Sequence, residues 1–292
     1  MNLPDSGIQV ENINQELKSF EQFLRVKKNL SRKVVRGHLS KIRRFLCSYH
    51  GIVSPKTVDD FLARIKEKWS IKTYANYLAS FKRYVRDYLG LDFIDDYEFP
   101  EIEEKPVVVP SKEELRRFFE ALPNAKLDKN NRVINEPKYK ALFLFLASSG
   151  LRLGEALSLR KKDVDFKNRM IIPNNAHETN RTKRSWITFY NEETEKYLTW
   201  INSLKPEDKI FPSDRHVYKA FKKAKEITGI DITPQKLREW FCEEMGNLGV
   251  PDRYIDAFCG RVPKSVLAKN YTDYSIKKLK KVYEKAHLKI LA

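Results

Sequence analysis

The sequence predicts a mostly α-helical protein with a small β-sheet, organised as two domains. Three observations support this fold class. Apolar residues recur at helical spacing through the first hundred residues, a charge reversal and two prolines interrupt the chain near residue 105, and two β-branched segments lie between later helices. A chain of 292 residues with 41% hydrophobic content is long enough for about two domains, each with its own core. We therefore predict a helical domain over residues 1–104, a linker over 105–110 and an α+β domain over 111–292.

The first domain is expected to be a bundle of four helices. Apolar residues occur every three or four positions in each of them. The third helix is expected to begin at Ser54 and Pro55, because serine caps a helix and proline suits the first helical position. The predicted helices cover residues 11–29, 31–50, a segment starting at 54, and about 70–88.

The second domain mixes helices with strands. Ser111 and Glu114 have the spacing of a capping box, which predicts the start of its first helix. Residues 163–172 and 184–190 alternate or run apolar and β-branched, which predicts two strands, and the polar segment 177–183 between them predicts a hairpin loop. Helices are expected over residues 111–122, 136–149, 153–160, 192–204, 214–228, 234–248, 251–259, 263–270 and 275–288.

The charge distribution points to duplex DNA as a partner. The formal net charge is +17, and residues 25–86 hold 17 Lys or Arg against 3 Asp or Glu, whereas residues 87–104 hold 8 acids and no base. Ordinary surfaces mix both signs, so this imbalance favours a DNA-gripping face over a merely solvated bundle. The predicted DNA contacts on the fourth helix are Lys72, Lys82, Arg83 and Arg86.

Several function classes lack support. The sequence has no P-loop motif and no Cys/His cluster at metal-ligand spacing, so we expect a mechanism without ATP, metal or any other cofactor. The longest apolar stretch, 141–147, is too short to span a bilayer. Three widely spaced cysteines and the lack of a signal-peptide pattern predict a reducing, cytoplasmic location.

The segment Ser149-Gly-Leu-Arg-Leu-Gly-Glu155 is the first candidate site. Arg152 lies between two leucines and should be partly buried, and Glu155 follows at the spacing of a same-face ion pair. A guanidinium held by a carboxylate is a preorganised phosphate receptor. A purely structural salt bridge is the alternative.

Two further segments carry candidate residues. Gln235 and Arg238 are expected to share a face near the capped start of a helix, where anions are favoured, although an exposed helical arginine is the alternative. Near the C-terminus, Arg261 precedes Tyr271, a tyrosine that could also serve only in packing.

Together, and in this order, these residues resemble the tyrosine recombinase (phage-type integrase) family over nearly the whole chain. The most specific match is Ser-Gly-Leu-Arg-Leu-Gly-Glu-Ala-Leu, followed by Thr-Pro-x-x-Leu-Arg. The tail Gly-Arg-x-Pro-Lys-Ser-Val…Tyr-Thr looks most like integrases of archaeal spindle-shaped viruses. The resemblance implies a SAM-like core-binding domain, a tyrosine recombinase catalytic domain, and a homotetramer acting on synapsed duplex DNA to integrate or excise viral or mobile DNA.

The resemblance also implies roles for individual residues. Arg152 and Arg238 would clamp the oxygens of the scissile phosphate, with Glu155 in support. Tyr271 would attack the phosphorus and form a 3′-phosphotyrosine. Lys183 would protonate the leaving 5′-oxygen, and a shift in hairpin alignment would bring its neighbours Arg181 or Arg184 there instead.

The sequence departs from the family pattern at two positions. Gln235 and Arg261 stand where the family usually has histidines, and neither side chain can accept the tyrosine proton. Lys236 is a candidate substitute, and Tyr274 is a rival nucleophile. A chromosome-dimer resolving recombinase and a catalytically impaired DNA-binding relative are therefore alternative functions. The last helix is expected either to pack on its own domain or to dock on a neighbouring protomer.

Overall fold

The chain divides into two compact units, Met1–Lys105 and Pro106–Ala292. The computed structural model describes residues 7–104, 106–123, 126–127, 133–134, 138–173, 187–211, 214–261 and 265–292. Each unit has its own hydrophobic core. None of the described helices combines the length and apolar character that a bilayer-spanning segment needs.

The first unit is helical, as the sequence predicts. Two short strands, β1 (Ile8–Gln9) and β2 (Ile52–Val53), pair antiparallel beside the helices. Ser54 caps the third helix through the main-chain N–H of Thr57, with Pro55 at the first helical position, which confirms the expected start. The helices are α1 (Ile13–Val26), α2 (Arg32–Ser48), α3 (Pro55–Lys68) and α4 (Ile71–Phe81), followed by a π-helical turn at Lys82–Arg86 and a 3₁₀ turn at Phe93–Asp96.

Aromatic rings fill the core of this unit. Phe45 makes edge contacts with Phe61 and Phe81 at centroid distances of 5.4 and 4.9 Å. Phe20 meets Tyr84 in the same way at 5.1 Å. Burying each such ring stabilises the fold by about 1.5–3 kcal/mol. The helical faces that carry these rings therefore pack inward, and the opposite faces lie toward solvent.

The acidic run pairs with bases of its own unit. Asp87 lies 2.9 Å from Arg86 and 3.0 Å from Lys28, and Asp95 lies 3.1 Å from Arg86. Lys82 donates to the main-chain carbonyl of Asp95. Two of the four predicted DNA contacts, Lys82 and Arg86, are thus engaged by this acidic segment.

The second unit surrounds one buried helix, α6 (Lys138–Ser149). Its early elements are α5 (Lys112–Ala121), the antiparallel pair β3 (Lys126–Leu127) and β4 (Val133–Ile134), α6 (Lys138–Ser149) and α7 (Leu153–Ser158). A three-stranded antiparallel sheet follows, in the order β5 (Val164–Asp165), β6 (Met170–Ile171) and β7 (Thr188–Phe189). The later helices are α8 (Glu192–Glu195), α9 (Asp214–Thr228), α10 (Pro234–Asn247), α11 (Asp252–Phe258), α12 (Val266–Asn270) and α13 (Ile276–Ala286).

Two predicted elements are wrong. Residues 163–172 form a hairpin rather than one strand, because the chain turns at Arg169, which has a φ of 51°. The helix expected over 192–204 ends at Glu195 and gives way to turns and a short 3₁₀ segment at Ile201–Ser203. The predicted loop 177–183 and the start of the strand at 184 lie outside the described residues.

Candidate active site

The turn between α6 and α7 positions Arg152. Gly150 ends α6 with a φ of +66°, a backbone conformation that is energetically unfavourable for residues with a Cβ. Arg152 is the N-cap residue of α7, and Glu155 sits one turn further on. One Glu155 oxygen accepts the main-chain N–H of Arg152 at 2.8 Å, and the other accepts its guanidinium at 2.7 Å. The ion pair that the spacing predicts is present, and it doubles as a helix cap.

Arg238 enters the same cluster from α10. Its side chain is only 3% exposed, and it lies 3.8 Å from the carboxylate of Glu155. Its guanidinium donates to the main-chain carbonyls of Gly150 at 2.5 Å and Cys259 at 2.7 Å. The exposed-arginine alternative is therefore wrong at this position. Two cations share one carboxylate, which leaves an excess of positive charge suited to a phosphate.

Burial shapes the electrostatics of this arginine. Desolvation, with a further contribution from the charge of Arg152, lowers the pKa of Arg238 from its ordinary value of 12.5. The guanidinium has five N–H donors in a fixed fork, and the two carbonyls engage only part of that fork. The side chain is thus held rigidly before any ligand arrives, which removes an entropic cost of binding.

Arg261 extends the cluster on its other side. It donates to Asp256 at 2.9 Å and lies 3.4 Å from the sulfur of Cys242. Cys242 in turn lies 3.5 Å from the sulfur of Cys259, whose carbonyl holds Arg238. Burial tends to lower the pKa of Arg261, whereas the hydrogen bond to Asp256 raises it, and the net shift of this pKa is upward. A continuous chain of contacts therefore links Arg152 to Arg261.

The two other candidates on α10 point elsewhere. Gln235 is exposed and donates to Glu239 at 3.1 Å. Lys236 donates to the main-chain carbonyl of Asp231 at 2.7 Å and also faces that residue's carboxylate. Neither residue has a hydrogen bond or ion pair with the three arginines within the described part of the chain.

The two candidate tyrosines differ sharply in environment. Tyr271 follows α12, is 77% exposed and makes no hydrogen bond among the described residues. Tyr274 is half-buried, donates to the carbonyl of Ala268 at 2.8 Å and packs edge-on against Tyr254. Tyr271 is thus the more accessible hydroxyl. The predicted proton donor Lys183, together with Arg181 and Arg184, lies outside the described residues.

Known proteins match both units. A model of the phage integrase family matches residues 111–277, which is more than half of the chain. The chain belongs to the phage integrase family. This family member is 26% identical over 298 residues to tyrosine recombinase XerA of Thermococcus onnurineus (strain NA1), an alignment that covers 96% of this chain and 98% of that protein.

Solved structures show the fold. The Tn1549 transposon integrase in complex with circular intermediate DNA aligns with a TM-score of 0.60 and 18% identity, over 91% of this chain and 98% of that chain. A lambda integrase dimer bound to a core site aligns with a TM-score of 0.62 and 10% identity, over 93% and 95%. The predicted family and fold class are confirmed.

Sequence reasoning missed the side chains that donate to the end of α6 in this family member. Three successive carbonyls at the end of α6 accept side-chain hydrogen bonds, and such carbonyls have no partner within their own helix. Tyr283 donates to Ser148 at 2.8 Å, and Thr188 donates to Ser149 at 2.7 Å. Arg238 donates to the third carbonyl, which belongs to Gly150. No local pattern reveals these partners, because they lie 39 to 135 residues away from α6.

The last helix packs on its own unit. Leu279, Tyr283 and Ala286 of α13 are buried in the second core. The tail beyond it is fixed by Glu193, whose carboxylate accepts the main-chain N–H groups of Ile290 and Leu291. Of the two placements expected for the last helix, packing on its own domain is the one observed in this single chain.

Proposed function

We propose that this protein is a site-specific DNA recombinase that cuts and rejoins duplex DNA through a covalent 3′-phosphotyrosine intermediate. The observation that carries the proposal is the arrangement of Arg152 and Arg238 on the single carboxylate of Glu155. Two positive groups held within 4 Å of one negative group form a net cationic site, which is suited to a phosphate.

The proposal assigns one chemical role to each candidate residue. The Tyr271 hydroxyl attacks the phosphorus, the bond to the 5′-oxygen breaks, and that oxygen leaves as a hydroxyl after taking a proton from Lys183. The energy of the broken ester is kept in the phosphotyrosine, so a second 5′-hydroxyl reseals the strand by the reverse step. Arg152 and Arg238 offset the charge that grows on the phosphate oxygens, and Arg261 adds a third positive group.

The first unit would supply the DNA grip. Lys72 is exposed on α4, and Arg83 is half-buried in the π-helical turn. The structural relatives were solved with DNA, which supports duplex DNA as the partner. We further propose a homotetramer on two synapsed duplexes, which sedimentation with and without a complete recombination site would test.

A nicked suicide duplex tests the reaction directly. The nick beside the cleavage site lets a short product diffuse away, so the covalent protein–DNA adduct accumulates. We expect the adduct with the wild type and with Tyr274→Phe but not with Tyr271→Phe. The reverse pattern would make Tyr274 the nucleophile, and no adduct under any condition would favour the catalytically impaired DNA-binding relative.

Integration of viral or mobile DNA is the primary biological role that we propose, and chromosome-dimer resolution is the second. The tail resemblance to integrases of archaeal spindle-shaped viruses favours the first role. The whole-length similarity to a recombinase of a cellular organism favours the second. Mapping covalent adducts on a library of genomic fragments separates them. Two different attachment sequences with a shared core indicate integration, whereas one chromosomal site that recombines with its own copy indicates dimer resolution.

A further inference from the structure

Two cysteines lie inside the chain of contacts that joins the arginines. Cys242 belongs to α10 and Cys259 is the C-cap residue of α11, and their sulfur atoms are 3.5 Å apart. Arg261 contacts the sulfur of Cys242, and Arg238 donates to the carbonyl of Cys259. No step of the proposed recombination reaction uses either thiol.

The two thiols have different environments. Cys242 is half-buried, and a hydrogen bond from the Cys259 thiol, together with the charges of Arg261 and Arg238, lowers the pKa of Cys242 to about 6. Cys259 is fully buried, and its pKa is raised by the shared hydrogen bond and by burial. A partly accessible thiolate beside a protonated thiol is the arrangement of a reactive cysteine with a resolving partner.

We propose that Cys242 and Cys259 are an oxidation site whose disulfide switches the phosphate site off. The oxidant is a peroxide. The Cys242 thiolate attacks one peroxide oxygen, the O–O bond breaks, and the departing hydroxide takes up a proton to become water. The Cys259 thiol then attacks the resulting sulfenic acid, an S–S bond forms, and the S–O bond breaks with loss of a second water. A dithiol restores the two thiols by exchange.

Bond formation would disturb two of the site's arginines. A disulfide bond is about 2.05 Å long, so the sulfurs must approach by about 1.5 Å. Bond formation also removes the negative charge of the Cys242 thiolate beside Arg261. The approach of the sulfurs pulls on Cys259, whose carbonyl fixes Arg238. Misplacing a catalytic group by about 1 Å can cost about 100-fold in rate. The effect on activity rests on the proposed recombinase function, whereas the disulfide itself does not.

Peptide mapping and the suicide duplex test the two parts separately. The full chain is treated with hydrogen peroxide, digested without reduction and analysed by mass spectrometry, and the same samples are assayed for adduct. We expect a linked peptide pair containing residues 242 and 259, and at least a tenfold loss of adduct that dithiothreitol reverses. Each variant is compared as the ratio of oxidised to reduced activity, so that changes in its basal rate cancel.

The third cysteine provides a matched control. Cys47 is exposed in the first unit, so Cys47→Ser should keep both the linked peptide and the loss on oxidation. Cys242→Ser and Cys259→Ala should each abolish both, and a thermal melt checks that they fold.

Three outcomes decide the proposal. A wild type without the linked peptide overturns it. If the linked peptide forms but oxidised and reduced protein are equally active, the disulfide does not switch the site off and this part of the proposal is overturned. If the reduced wild type forms no adduct, the recombinase function fails, and the linked peptide alone decides the oxidation site.

Discussion

The guanidinium of Arg238 donates to the main-chain carbonyl of Gly150, 88 residues earlier in the chain. This bond places a buried cation at the C-terminal end of α6, where the helix dipole is negative. The same end of α6 leads directly into Arg152. This turn of backbone therefore positions both arginines. Substitutions around it should distinguish the arginines' part in cleavage from their effect on folding stability.

Arg238→Lys should slow cleavage strongly while sparing DNA binding. A lysine ammonium is one point charge and cannot span the carbonyls of Gly150 and Cys259 as the planar fork does. Because removal of one transition-state donor costs about 100-fold to 1,000-fold, we expect a loss of that size in the rate of adduct formation. Arg152→Ala should behave alike. Gel-shift affinities within threefold of the wild type are expected, and a parallel loss of binding would contradict this division of roles.

Arg83→Ala should weaken DNA binding and reduce its salt dependence. Removing one phosphate contact lowers the slope of log K against log salt by roughly one. Arg86→Ala is the matched control, because Arg86 is paired with Asp87 and Asp95. It should leave the slope unchanged. Fluorescence anisotropy at several salt concentrations measures both, and a slope for Arg83→Ala equal to that of the wild type would mean that Arg83 contacts no phosphate.

Gly150→Ala should destabilise the second unit strongly. A Cβ at this position would lie 2.5 Å from a ring carbon of Phe241, and the backbone has a φ of +66°. Overpacking and the left-handed backbone together cost about 2–5 kcal/mol. Gly154 lies in α7 with nothing within 4 Å of its added Cβ, so Gly154→Ala should be neutral or stabilising by up to about 1 kcal/mol. Thermal melts of the two variants compare them directly, and similar melting temperatures would refute the clash.

Short sequence patterns predicted those parts of the fold and of the site in which the interacting residues lie close together in the sequence. Ser54 and Ser111 cap their helices as expected. The Arg152–Glu155 pair also follows from spacing, since both partners lie in one turn. The hairpin over 163–172 was missed because apolar and polar residues alternate there as in a single strand, although the polar residues 167–169 lie in the turn. The burial of Arg238 was missed because its carbonyl partners are distant in sequence.

Tyr283→Phe should cost about 1–2 kcal/mol of unfolding free energy. The Tyr283 hydroxyl donates to the carbonyl of Ser148 at the end of α6, and its removal leaves a buried acceptor without that donor. Tyr190 is buried in the same core, but its hydroxyl has no hydrogen-bond partner among the described residues. Tyr190→Phe should therefore be neutral or stabilising. Urea unfolding measures both, and equal costs would show that the bond to Ser148 contributes nothing.

The stability of the first unit should fall in mild acid because of His38. Burial and the nearby charges of Arg83 and Lys41 lower the pKa of His38 to about 4, and its Nδ1 lies 2.9 Å from the Ser80 hydroxyl. The unfolded chain protonates near pH 6.5, so it binds more protons than the folded state between pH 6.5 and 4, and stability drops as pH falls through that window. With partial exposure taken into account, the loss should be about 1–2 kcal/mol. His38→Gln should lack this part of the loss, whereas His50→Asn, at an exposed site, should keep it. Urea unfolding at pH 7 and 4.5 tests the difference, and an identical acid response for the wild type and His38→Gln would rule out the linkage.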